Sequence, residues 1–275
     1  AVGRQIMRAA SDNLVPVTLE LGGKSPVLVA PDYPIEVAAE RIAVGKLFNA
    51  GQTCIAPDYI LVPRGSEARF VCAFRDAAAR LYPTLAANAD YSAIVNERHY
   101  DRLTQLVADA RQRGARVDEI NPGRERLDRS GRKFAPVVLS DVPADALVLQ
   151  EEIFGPVLPV LAYDDLDGAC RFINTCPRPL AFYLFSHDRE TVEYGLERVV
   201  AGGVAVNDTL LHCVQEELPF GGIGESGTGA YHGETGFRTF SHAKAVFHQA
   251  RLNGAGLTRP PYGRRMDRLL SFMLR

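Results

Sequence analysis

An α/β fold, with a parallel sheet and flanking helices, is what this 275-residue chain predicts. Strand-like runs alternate with runs of helical length and spacing, the pattern of parallel strands joined by crossover connections. The composition, 47% hydrophobic and 23% charged with a net charge of −2, is that of an ordinary globular chain with ample core. The heaviest punctuation falls at the Gly-Lys-Ser-Pro segment ending at 26 and at the glycine-rich FGGIGESGTGAYHGETG of 220–236, so breaks are expected there.

The elements follow in order. The opening AVGRQIMRAASDN has no initiator Met and already repeats Val2, Ile6, Ala9 and Ala10 at helical steps, which reads as a piece of a longer protein. VPVTLEL (15–21) alternates as a strand, and SPVLVA (25–30) forms a second strand after the Gly-Gly turn. Helical spacing covers 35–50, YILVP (59–63) is a strand, and helices are expected over 66–81 and 96–114. APVVLS (135–140) returns to strand, followed by helix 166–175, strand LAFYLFS (180–186), helix 189–200 and strand GGVAVN (202–207). The C-terminal RRMDRLLSFMLR (264–275) mixes basic and apolar residues as an amphipathic tail does. Its shortness favours packing on its own protein or on a partner subunit over membrane anchoring.

The 31 basic and 33 acidic residues intermingle, leaving no broad cationic face for nucleic acid. No apolar run approaches the roughly 18 to 20 residues that span a bilayer, and no leader opens the chain, so the expected location is the cytoplasm. Five cysteines (Cys54, Cys72, Cys170, Cys176 and Cys213), odd in number and without a C-x-x-C pair, argue for reduced thiols. Neither a disulfide framework nor a metal site is expected.

Chemistry concentrates in three stretches. FNAGQTC (48–54) ends a helical run on a turn that Gly51 makes possible and then presents Cys54, where an exposed thiol can act as a nucleophile. A lone cysteine is also often a small buried apolar residue. VTLELGGKSP (17–26) places Glu20 between two leucines at a strand end, where partial desolvation would suit a general base; it fits equally the polar face of a half-exposed strand. In LQEEIFGPVLPV (149–160), Glu152 and Phe154 would share one side of an extended segment, as a carboxylate for a ribose diol beside a ring for a flat heterocycle. The plainer alternative is the charged start of a strand followed by a core phenylalanine.

LELGGKSP, FNAGQTC, QEEIFGPV and LPFGGIGESGTGAYHG, in this order, resemble the signature segments of the aldehyde dehydrogenase superfamily over nearly the whole chain. INTCPRPLAFYLFS, VNDTLLH and GAYHGETGFRTFSH resemble most its class 3 branch, which includes fatty, aromatic and coniferyl aldehyde dehydrogenases. The resemblance implies a catalytic domain with a parallel sheet and flanking helices, plus remnants of a Rossmann-type cofactor domain. Its segments would be 1–21 as the end of the dinucleotide-binding domain, 22–222 as the catalytic domain, and 223–275 as a return segment and oligomerisation tail.

It also implies the reaction. Cys54 matches the family's nucleophile and Glu20 its general base, in the oxidation of an aromatic or a medium- or long-chain aliphatic aldehyde to its acid through a thiohemiacetal and a thioester. NAD or NADP is the implied cofactor, with Gly3, Leu21, Gly22, Glu152 and Phe154 toward it and Asn207 bracing the catalytic loop. His212 would line the substrate funnel or be structural. The implied full-length protein is a homodimer. Because the match begins at AVG, the upstream strands and the oxyanion-hole side-chain amide are expected to be missing, leaving the Cys54 backbone N–H as oxyanion donor. The rival readings are a CoA-acylating semialdehyde dehydrogenase, an inactive fragment, and a cysteine hydrolase, for which no histidine is flagged as a partner.

Overall fold

Three strands that sit side by side at the middle of the sheet show why the chain folds as it does. In β2 (Ser25–Val29), β3 (Pro57–Pro63) and β7 (Ala181–Phe185), the residues Val27, Val29, Ile60, Val62, Tyr183 and Phe185 belong to one core layer. Their neighbours Leu28, Tyr59, Leu61, Phe182 and Leu184 belong to another. Side chains alternate across a strand, so apolar runs with both parities buried need cover on both faces. Helices α2 (Ile35–Leu47) and α3 (Glu67–Leu81) cover the first face through Ile35, Ala38, Ile42, Phe70 and Phe74. Helix α6 (Leu166–Thr175) covers the second through Ala169, Cys170 and Ile173.

The computed structural model describes residues 2–274. Its main sheet has seven strands in the order β4-β5-β6-β3-β2-β7-β8, where β4 is Arg116–Glu119, β5 Val137–Ser140, β6 Val157–Tyr163 and β8 Gly203–Val206. All neighbours are parallel except the antiparallel β4–β5 pair at one edge. Helix α4 (Glu97–Gln112) and the short α5 (Leu147–Gln150) close a third core layer with Leu103, Leu106, Val148 and Ile153. Asn96, Asp165 and Asp188 cap α4, α6 and α7 (Arg189–Arg198), each accepting a backbone N–H three residues on. A separate ribbon pairs β1 (Leu19–Glu20) antiparallel with β9 (Gly227–Thr228). Helix α8 (Gly233–Thr239) follows, and α1 (Val2–Asp12) opens the described chain.

The fold class expected from the sequence is the one observed, and five helices fall where spacing placed them. Four details differ. The strand expected over 15–21 shrinks to Leu19–Glu20, because β9 pairs with those two residues alone. The helix expected to reach 50 ends at Leu47, because Asn49, Ala50 and Gly51 all take positive φ. Strand β6 went unrecognised because Pro159 interrupts its apolar run, although it pairs on both sides. The polar β4 gave no strand signal either.

Chain contacts divide the molecule into one unit ending at Phe240 and a second beginning at Ser241. The second unit carries α9 (Arg264–Met273), which falls within the basic and apolar tail; Arg275 lies outside the described residues. Within the first unit the β1–β9 ribbon joins residues on either side of the expected 22–222 segment. Among the described residues no helix is long and apolar enough to cross a membrane.

Candidate active site

Cys54 follows the tight turn that ends α2. Gly51 sits at φ +73 with Gly155 backbone where a Cβ would be, so glycine is required twice over, by conformation and by space. Gln52 ties the loop down: its amide donates to Asn49 and Ala93 carbonyls at 3.1 and 3.0 Å, and its oxygen accepts from Val95 N at 2.8 Å. From the other side Tyr183 donates its hydroxyl to Ile55 O at 2.6 Å. The half-buried thiol therefore sits on a loop held at both ends.

Glu20 comes to the thiol from β1. It stands opposite Gly227 in the ribbon, and Leu21 N donates to Ser226 O at 2.9 Å. Burial, then the hydrogen bond to Glu20 and its charge, then Cys213, push the Cys54 thiol up to about 12, against a small lowering by a backbone hydrogen bond at Cys54 itself. At neutral pH the resting Cys54 is therefore a thiol, with Glu20 beside it. The expected desolvation of Glu20 among leucines is not observed: Leu19 turns inward and Glu20 is exposed. The Tyr231 hydroxyl also donates to Glu20 Oε2, at 3.2 Å. Cys213 stands near both, its thiol raised by burial and by the Glu20 charge.

An aromatic wall adjoins this pair. Tyr183 meets His212 edge-on at 5.9 Å, His212 tilts on Phe220 at 6.1 Å, and Phe220 packs on Tyr231 at 5.7 Å and on His232 at 5.4 Å. His212 is buried with both ring nitrogens lacking a hydrogen-bond partner, and burial pushes its pKa down, so it stays neutral.

Glu152 forms a second centre. Gly22 lies so close that a Cβ there would strike the Glu152 carboxylate, and the Gly23 backbone N–H donates to it. Burial raises Glu152 to about 7, with the Asp58 charge adding and the Gly23 bond, Arg102 and Lys24 opposing. The backbone around Glu152 is fixed from beneath. Lys24 pairs with Asp58 in the interior and donates to Val148 O at 2.8 Å and Glu151 O at 2.9 Å. Asp58 Oδ2 accepts from Ile153 N at 2.8 Å, and Arg102 donates to the Glu152 carbonyl at 2.9 Å and to that of Ile153. Phe154 adopts φ 49, so the segment is not extended there and the expected same-side relation of Glu152 and Phe154 does not follow from strand geometry.

Residues 1–246 match the model of the aldehyde dehydrogenase family. The chain belongs to the aldehyde dehydrogenase family. It is 50% identical over its whole length to a coniferyl aldehyde dehydrogenase from a Pseudomonas species, of which it spans 57%. The substrate-bound AldH of Staphylococcus aureus superposes with a TM-score of 0.89 at 43% identity, covering 99% of this chain and 58% of that one. An aldehyde dehydrogenase of Mycobacterium tuberculosis complexed with NAD+ gives 0.80 at 28% identity, covering 92% and 52%.

In this aldehyde dehydrogenase family chain the residues singled out from sequence divide into groups. Cys54 and Glu20 are in contact, and Leu21 and Gly22 connect Glu20 to Glu152. Gly3 is buried where a Cβ would press on the Leu21 side chain, seating α1 on the strand that carries Glu20. Asn207 does not touch the Cys54 loop with its side chain. At φ 61 it exchanges 2.8 Å hydrogen bonds with the backbone of Ser186 after β7, while its carbonyl takes Arg41 of α2. Its carbonyl thus reaches α2, the helix before the Cys54 loop. Sequence reasoning missed Tyr231, Cys213, Lys24, Asp58 and Arg102. Lys24 and Tyr231 stood inside quoted motifs, and a lysine directly after a glycine turn before a fully apolar strand was the available signal. A cavity of about 970 Å³ between α3, β6 and α6 shares no residue with either centre. Among the described residues no group of His, Cys, Asp and Glu could hold a metal ion.

Proposed function

We propose that this chain carries the nucleophile and the base of an NAD- or NADP-dependent oxidation of an aldehyde to its carboxylic acid. The contact between the Cys54 thiol and the Glu20 carboxylate supports this reading above all. Cys54 adds to the aldehyde carbon as the thiolate, its proton passing to solvent, with the Cys54 backbone N–H as a donor to the oxyanion. The nicotinamide cofactor supplies the acceptor for the hydride that leaves this adduct. Cys54 is left as a thioester. Glu20 then takes a proton from water; hydroxide adds to the acyl carbon and the Cys54 thiolate departs.

Glu152 fits the cofactor's nicotinamide-side ribose: a half-buried carboxylate, carried on an anchored loop, whose raised pKa keeps it poised between its two forms. The aromatic wall beside Cys54 and the similarity to the Pseudomonas enzyme favour an aromatic aldehyde of the coniferyl type. The full-length protein on this reading is a cytoplasmic homodimer.

Two measurements on the full-length protein test the reading. Glu20→Gln should give a burst of reduced nicotinamide followed by a slow steady state, because water activation comes after thioester formation. A first turnover slowed as much as the later ones would assign Glu20 elsewhere. The second measurement concerns Glu152, which accepts from a diol best as the carboxylate. NAD+ affinity should therefore tighten as pH rises through about 7, the region where Glu152 loses its proton, and that trend should vanish in Glu152→Gln. Titrations at pH 6 and 8 that give equal affinity for the parent would remove Glu152 from the ribose.

A further inference from the structure

We infer that Tyr231 is a positioning residue for Glu20, its hydroxyl holding the carboxylate in the orientation that serves water activation. The inference rests on the reading of Glu20 as base. Tyr231 donates to Glu20 Oε2 at 3.2 Å, across 211 residues of sequence. Its backbone is fixed by two reciprocal 2.8 Å bonds with Phe220, and its ring is packed edge-on by Phe220 at 5.7 Å and by His232 at 4.9 Å. The hydroxyl is thus delivered by a locked residue. Both ends of the contact also ride on one piece of structure, since β9, three residues before Tyr231, pairs with the β1 strand that bears Glu20.

The Cys54 thiol also faces Glu20. Once Cys54 is acylated its proton is gone, and at that stage Glu20 must draw a proton from water. Tyr231 then remains the donor that restrains an exposed carboxylate, occupying Oε2 and leaving Oε1 to accept from water. The hydroxyl keeps its proton throughout, because burial and the Glu20 charge push it up to about 12.

The test is Tyr231→Phe in the full-length protein, followed by rapid mixing with NAD+ and an aromatic aldehyde. The burst should stay within about twofold of the parent while the steady-state rate falls about tenfold, since one hydrogen bond to a charged group is lost at the later step. The charged and titratable groups facing Glu20 are Cys54, Cys213 and Tyr231. In a Glu20→Gln background, Tyr231→Phe should cause no further loss. An unchanged steady state, or the same tenfold loss in the Glu20→Gln background, would overturn the positioning role alone. A Glu20→Gln trace without a burst would remove the base assignment and this role with it.

Discussion

Cys54→Ala in the full-length protein is expected to lower aldehyde oxidation by about a thousandfold or more while leaving NAD+ affinity within about twofold. The residue's surroundings explain both halves. Gln52 and Tyr183 hold the loop through its neighbours, not through the thiol, so alanine leaves the backbone in place. Cys54 is half-buried, and removing one sulfur there opens little space. The Glu152 centre, with its own anchors on Lys24, Asp58 and Arg102, does not depend on Cys54. Cys213 gives no rescue, because its loop follows β8 and its thiol, like that of Cys54, is raised and protonated. Steady-state rates and a nucleotide titration decide the matter; turnover above about one per cent of the parent would take the nucleophile's role from Cys54.

Asp58→Ala should destabilise the protein by about 3 to 5 kcal/mol, the usual penalty for stranding one member of a buried ion pair. Asp58 does three things at once. It pairs with Lys24, accepts the Ile153 N–H, and its charge supports Lys46, which burial already pulls down to about 8. Alanine leaves two interior ammonium groups and one N–H without that carboxylate. Lys24 would also lose its hold on the Val148 and Glu151 carbonyls, loosening the segment that presents Glu152. Denaturant unfolding with a parallel NAD+ titration should therefore show both a lower midpoint and weaker binding. The double change Lys24→Met with Asp58→Leu should cost less than Asp58→Ala alone, since it removes charge along with its partner; a double variant less stable than the single one would mean the pair is not what holds the loop.

The layered sheet was legible because its central strands carry apolar runs on both faces and lie between well-spaced helices, so period and length agreed. Cys54 and Glu20 were legible as motif residues. Their contact was not, because it depends on a turn of three left-handed residues and on a strand of two, neither of which leaves a periodic trace. Asp58 reads as the polar second residue of a strand, and nothing local shows that Lys24 and Ile153 converge on it. Tyr231 lies 211 residues from the carboxylate it bonds, beyond the reach of any spacing argument. Phe154 misled in the opposite way: counting by twos presumes an extended chain, and φ 49 breaks the count.

The β1–β9 ribbon sets an order of assembly. On a ribosome, Glu20 emerges before Cys54, whereas Gly227, its partner in the ribbon, comes near the end of the first unit. The loop of Cys54 needs Gln52, residues 93–95 and Tyr183, so the nucleophile can be seated before the base has anything to pair with. The first-made catalytic group is therefore the last to be placed. A chain cut short after β8 would keep a folded sheet and a protected thiol yet lack a fixed carboxylate, and a nascent chain is spared a complete reactive pair until its final strand closes.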